Sequence, residues 1–248
     1  MKTQEAHHAT PPVALVTGAG SGLGQALALG LAQDGFALAL HYRTNQQAAL
    51  KIQAEIRSKG GSAELFQADL TSDAAALSLA AALETRFGRL DVLVNNAGAY
   101  QERHGLALSE TEWFEGLNST ASQTFFTTRA LLPLLRAGGL KRIINLGDSS
   151  AERPGARDLA WSYHIGKTGV WILTRSFAVS EATHGIAVNM VSPGFLENSV
   201  GHLPLEEVPA GRLGAFQDVL QVVRFLSREA PVYLSGSNLV VSGGWNLR

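Results

Sequence analysis

Tyr163 and Lys167 stand four residues apart, and of all the side chains in this sequence they are the pair best suited to moving a proton. In a helix that spacing brings both side chains to one face. A phenol with its ordinary pKa of about 10 is a poor base at neutral pH. A neighbouring ammonium favours the phenolate, lowers that pKa and makes proton exchange with a carbonyl oxygen feasible. Taken alone, the Tyr-x-x-x-Lys spacing is a frequent accident, so its meaning depends on the rest of the chain.

A second cluster supplies context. The apolar run VALVT (13–17) leads into Gly18-Ala19-Gly20-Ser21-Gly22-Leu23-Gly24, where a helical pattern begins. A glycine-rich turn between strand and helix lets the backbone approach a pyrophosphate and sets that anion against unpaired N–H donors at a helix N-terminus. At the end of the next apolar run, FALALHY (36–42), a dinucleotide with a free ribose 2′-hydroxyl calls for an acidic residue, and one with a 2′-phosphate for an arginine. The chain has Arg43 there and no carboxylate, which selects NADP(H). Asp69, followed by Leu70, ends a third run. It reads equally as an acceptor for an adenine amino group and as a helix N-cap.

These residues need strands to end beside them and helices to start there. Seven short β-rich runs, beginning at Val13, Phe36, Ser62, Asp91, Arg142, Ile186 and Asn238, alternate with helical patterns. Long helices are expected over about Glu110–Leu135 and Asp158–Glu181. Such alternation predicts parallel βαβ units covered by helices on both faces. The 248 residues contain no repeat or linker after Pro12, so the reading is an N-terminal arm over 1–12 and one domain over 13–248. His7 and His8 lie in that arm and read as solvated side chains, not a metal site. The net charge of -1 favours neither nucleic acid nor an anionic membrane. The absence of cysteine excludes disulfides, thiolate catalysis and cysteine-rich zinc sites. No apolar run is long enough to span a bilayer, and the first twelve residues lack a secretory core, so a cytoplasmic protein is expected.

Taken in order, TGAGSGLG, Asp69-Leu70, Asn95-Asn96-Ala97-Gly98, Asn118, Tyr163-His164-Ile165-Gly166-Lys167 and Ser192-Pro193-Gly194 resemble the short-chain dehydrogenase/reductase family from about Val13 to the C-terminus. The resemblance implies a single-domain, doubly wound α/β Rossmann fold with a seven-stranded parallel sheet. It implies an oxidoreductase with Tyr163 as proton donor and acceptor, and a cofactor that carries the hydride chemistry. Asn96, Ala97 and Gly98 would line the cofactor, Lys167 would hold the nicotinamide ribose, and Asn118 would support a water linked to Lys167. Pro193 and Gly194 would lie beside the nicotinamide. A homotetramer, or failing that a dimer, would pair the two long helices across two-fold axes.

Three positions depart from the family's pattern. Where members usually have a serine after the fifth strand, strand register places Asp148, while counting back from Tyr163 places Ser150. Register is the better guide because loops absorb insertions. Asn198 replaces a usual threonine, and Ser242 a usual acidic residue. Asp148 and Tyr100 resemble the pteridine and dihydrofolate reductases of the family. HYRTN and VPAGRLG (208–214) resemble its 3-oxoacyl thioester reductases. Tyr100 reads more readily as the wall of any apolar pocket. The lid from Phe195 to Val208 is short, implying a small or open pocket for a small-molecule substrate, framed by Trp161, Phe195 and His202. A nucleotide-binding regulatory or scaffolding protein is the alternative, but it would have no need of the Tyr163–Lys167 pair.

Overall fold

A computed structural model describes residues 10–153, 155–199 and 205–245. The seven apolar runs form strands β1 (Val13–Val16), β2 (Ala37–Tyr42), β3 (Ala63–Gln67), β4 (Val92–Asn95), β5 (Arg142–Leu146), β6 (Ala187–Pro193) and β7 (Asn238–Val241). They make one sheet in the order β3-β2-β1-β4-β5-β6-β7, with every pair parallel. β1, β2, β4 and β5 are buried along their whole length, which explains why they read as continuous apolar runs instead of alternating ones.

Helices α1 (Gly22–Gln33), α2 (Gln46–Ser58) and α7 (Phe216–Arg224) cover one face around Leu27, Leu31, Ile52, Leu220 and Val223. Helices α3 (Asp73–Phe87), α5 (Gln123–Ala137) and α6 (Trp161–Ser180) cover the other around Leu79, Leu83, Leu131, Leu135 and Phe177. The fold is therefore a single-domain doubly wound α/β sheet. The chain order reverses between β1 and β4, so a crevice opens beyond their C-terminal ends, where such sheets bind ligands. Among the described residues, no helix is long and apolar enough to cross a membrane.

Four details differ from the sequence expectation. Of the expected arm, residues 1–9 lie outside the described residues, as does His202. Thr10, Pro11 and Pro12 are tied down: Arg89 donates to the Thr10 and Pro11 carbonyls, and the Ala37 N–H donates to Pro12 O at 2.9 Å. The helix expected over 110–135 is instead α4 (Glu110–Leu117), a π-helical turn (Asn118–Ser122) and α5. α4 starts on a Ser109–Glu112 capping box. The helix expected from Asp158 begins only at Trp161. Ala160, in the left-handed region at φ 52°, precedes it, and residues 158–160 bond instead to the 103–105 loop. α7 is an addition to the element order read above. Its Val219, Leu220 and Val223 periodicity is a clear helical signal.

Candidate active site

The glycine-rich turn is built where sequence reasoning puts it. Gly18 and Gly22 adopt φ values of 64° and 54°, a region open to glycine at little cost. A Cβ on Gly24 would lie 2.2 Å from the Gly18 carbonyl oxygen, so only glycine lets α1 start this close to the turn. Ser21 is the N-cap in extended backbone, with its hydroxyl making no capping bond. The first helical bond runs from Gln25 N to Ser21 O, so the N–H groups of Gly22, Leu23 and Gly24 have no helical acceptor. Those free donors, and the room left by absent side chains, fit a phosphate.

Two neighbours hold the turn. The buried His41 accepts from the Gly18 N–H at Nδ1 (3.2 Å) and donates from Nε2 to the Ala68 carbonyl (3.0 Å), which fixes its tautomer. Burial pushes the His41 pKa down, against smaller upward pulls from Ala68 and Asp69. On the other side, the Thr17 hydroxyl accepts from the Asn96 and Ala97 N–H groups, at 2.9 and 3.0 Å. Asn96 Nδ2 donates to the Thr17 and Gly18 carbonyls. Arg43 is exposed at the end of β2. Asp69 accepts from Thr71, while Ser72 caps α3, so the capping role considered for Asp69 belongs to Ser72. Leu70 packs its side chain into the core.

A cleft of about 510 Å³ opens beside the turn. It brings together Leu23, Asn96, Gly98, Tyr100, Asp148, Ser150, Tyr163, Lys167, Pro193, Gly194, Phe195 and Asn198 from the residues singled out in sequence, and adds Arg157, His164 and Trp245. Ala97 and Asn118 do not line it. Ala97 is held between Thr17 and Gln123. Asn118 opens the π-helical turn and accepts from the Ser122 hydroxyl at 3.0 Å. Trp161, expected to frame the pocket, instead packs on Gly105 and donates to the Arg157 carbonyl.

Lys167 lies 5.6 Å from the Tyr163 ring centre, and its ammonium donates to the Leu146 carbonyl at 2.6 Å. Burial lowers the Lys167 pKa to about 8, partly offset by Asp148. The Tyr163 phenol moves opposite to expectation: burial first, then the Asp148 and Tyr100 charges, push its pKa well above the ordinary value. The physical reason is that the site is desolvated and the Asp148 carboxylate acts on the phenol. Asp148 and Ser150 do not compete for one place. Asp148 Oδ1 accepts from both the N–H and the hydroxyl of Ser150, so the two form one unit on the cleft wall. The Tyr100 ring meets Tyr163 edge-on, with centres 5.1 Å apart.

Residues 18–246 match the family described as enoyl-(acyl carrier protein) reductase. This chain belongs to the short-chain dehydrogenase/reductase family. It is 31% identical over 241 residues to the 3-oxoacyl-[acyl-carrier-protein] reductase FabG of Staphylococcus aureus, covering 93% of this chain and 96% of the relative. The FabG reductase of Haemophilus influenzae is 31% identical over 242 residues, covering 94% and 97%. Among solved structures, acetoin dehydrogenase from Enterobacter cloacae superposes with a TM-score of 0.84 at 28% identity, covering 96% of this chain and 97% of that one. As a short-chain dehydrogenase/reductase, the chain is an oxidoreductase.

Several residues that shape this short-chain dehydrogenase/reductase site escaped sequence reasoning. Thr17 and His41 act through bonds to the turn that bridge distant parts of the chain. The buried Asn95 side chain donates to Thr128 and Asn145, and Asn145 donates on to Thr174, which joins β4 and β5 to α5 and α6. Trp245 reaches the cleft from the last described residues and packs edge-on against Phe195. Ser242 donates to the Trp245 carbonyl, a local role that no motif announces.

Proposed function

We propose that this chain is an NADP(H)-dependent carbonyl reductase in which Tyr163 gives the proton. The observation that carries this reading is the placement of Tyr163, Lys167 and the Asp148–Ser150 unit in one cleft beside the glycine-rich turn. The free N–H groups of Gly22, Leu23 and Gly24, and the glycine backbone around them, fit a dinucleotide. Gly18, Ser21, Asn96, Ala97 and Gly98 would flank it, Asp69-Leu70 its adenine end, and Pro193-Gly194 its far end. Arg43, exposed and without a carboxylate beside it in sequence, supports a 2′-phosphate and hence NADP(H). A bound nicotinamide dinucleotide would supply the hydride.

The chain's own residues do the rest. Burial and Asp148 keep the Tyr163 phenol protonated at neutral pH, so it acts as an acid toward a carbonyl oxygen gaining negative charge. That direction is reduction. Lys167 stays mainly cationic below about pH 8 and steadies the developing charge. Asn118 would hold a water behind Lys167. The two FabG relatives favour a 3-oxoacyl thioester as substrate. A pterin is the second reading, favoured by Tyr100 edge-on to Tyr163 and by the Asp148 carboxylate. A purely regulatory nucleotide binder would make no use of the cleft.

The test is turnover of 3-oxoacyl thioesters, ketones and pterins with NADPH and with NADH, in the unaltered protein and in Tyr163→Phe. NADPH should be preferred by roughly tenfold to a hundredfold, the worth of a charge-assisted phosphate contact. Tyr163→Phe should lower kcat by about 10²–10⁴-fold with little change in NADPH affinity. Undiminished turnover in Tyr163→Phe would remove that residue from the chemistry.

A further inference from the structure

Arg157 sits on the cleft wall with Tyr163, Asp148 and His164. It lies between Asp148 and Tyr163, a stretch longer than the family's spacing when Asp148 holds the usual serine position. The loop that carries it is strapped down. The Trp161 indole donates to the Arg157 carbonyl at 2.6 Å, the Gly105 N–H to Asp158 O at 2.9 Å, and the Ala160 N–H to Arg103 O at 2.9 Å. Gly105 packs so tightly on Trp161 that a Cβ there would lie 1.9 Å from the ring.

On this held backbone Arg157 is half-buried, and its guanidinium has no hydrogen bond or ion pair among the described residues. Most other arginines do: Arg103 pairs with Glu112, Arg136 with Glu181 and Arg224 with Asp34. Arg43 shares the unpaired state, and it faces the proposed 2′-phosphate. The cleft's own carboxylate, Asp148, is engaged by Ser150, and the Lys167 ammonium by Leu146. His164 lies within charge reach of Arg157, and its buried Nδ1 finds no partner among the described residues. A partly buried arginine carried on a held loop beside the reacting groups, without an acidic partner among the described residues, lacks a counter-ion, and an anionic group on a ligand supplies one.

We infer that Arg157, with His164 beside it, takes a carboxylate or phosphate carried by the carbonyl substrate, an inference that rests on the reduction proposed above. The substrate class is then an oxo acid or a phosphorylated ketone, in place of the thioester that the FabG relatives favour. Arg157 sets specificity, while Tyr163 does the chemistry.

The experiment compares kcat/KM, with NADPH, for straight-chain oxo acids against their methyl esters, and for dihydroxyacetone phosphate against dihydroxyacetone. The unaltered protein should favour the charged member by about tenfold to a hundredfold. The first pair reports a carboxylate, the second a phosphate. In Arg157→Gln that ratio should fall to near one, while Arg157→Lys should restore part of it. Arg57→Gln, at the exposed end of α2, should keep it. A ratio near one for both pairs in the unaltered protein, or one unmoved by Arg157→Gln, overturns the inference. If no compound is turned over, calorimetry with and without NADPH decides. Binding of an acid but not its ester, lost in Arg157→Gln, upholds the anion subsite while the proposed reduction fails, and equal binding overturns the subsite.

Discussion

His41 holds the glycine-rich turn with a single tautomer, and that makes the turn sensitive to acid. Nδ1 can accept from the Gly18 N–H only while the ring is neutral, because an imidazolium has two donors and no acceptor. The charged groups facing it are Asp69, which pulls its pKa upward, and Arg43, which acts on Asp69. Burial outweighs these, so the folded pKa lies below the model-peptide 6.5. The sign follows: between 6.5 and the lowered folded value the unfolded chain binds more protons, so stability and the shape of the turn are lost as pH falls through that window. NADPH affinity should therefore weaken on the acid side of 6.5. Fluorescence titration from about pH 5 to pH 8 measures it. His41→Asn keeps an acceptor and a donor without titrating, and should flatten the acid limb. The same acid-side loss in both proteins would assign the effect to another group.

At the scale of elements, the π-helical turn between α4 and α5 is where α6 docks. A Cβ on Gly166 would lie 1.8 Å from the Thr120 hydroxyl, and one on Gly116 2.1 Å from the Ser162 hydroxyl. Those two glycines let the backbones meet, and Gly166 falls between Tyr163 and Lys167. Gly166→Ala should push α6 away from Thr120 and cost about 1–3 kcal/mol as overpacking. That is roughly 2–10 °C in Tm, read by calorimetry, with a loss of turnover beyond the loss of stability. An unchanged Tm and unchanged turnover would show that the contact yields without strain. The sequence disclosed the seven strands because burial on both faces makes them continuous apolar runs, and it disclosed the glycine-rich turn because only glycine fits there. It did not disclose the π-helical turn, because Asn118–Ser122 keeps a helical pattern while the hydrogen-bonding pitch changes. It placed Tyr163 and Lys167 in one cleft but gave the wrong sign for the phenol's pKa. Spacing along a helix says nothing of the burial or of Asp148, which arrives from the loop after β5.

At the scale of the molecule, α6 carries an apolar stripe that no described residue covers. Ile165, Ile172 and Val179 recur every seven residues and are 52%, 60% and 80% exposed. Phe114 on α4 is also exposed. A stripe with that period packs against a second helix of the same kind, and a two-fold axis makes the patch self-complementary. A second apolar site, Val232 with the fully exposed Tyr233, leads toward β7, the outer strand at that side of the sheet. Two distinct self-complementary patches close into a tetramer with dihedral symmetry, whereas one patch alone gives a dimer. We therefore propose a homotetramer, of four times the 26.3 kDa chain mass. Light scattering at micromolar concentration should find it in the unaltered protein. Ile172→Asp buries a charge in the first interface and Tyr233→Asp in the second, so each should leave a dimer and the double variant a monomer. A monomeric mass for the unaltered protein, or a tetramer that survives both substitutions, would refute the two-patch assembly.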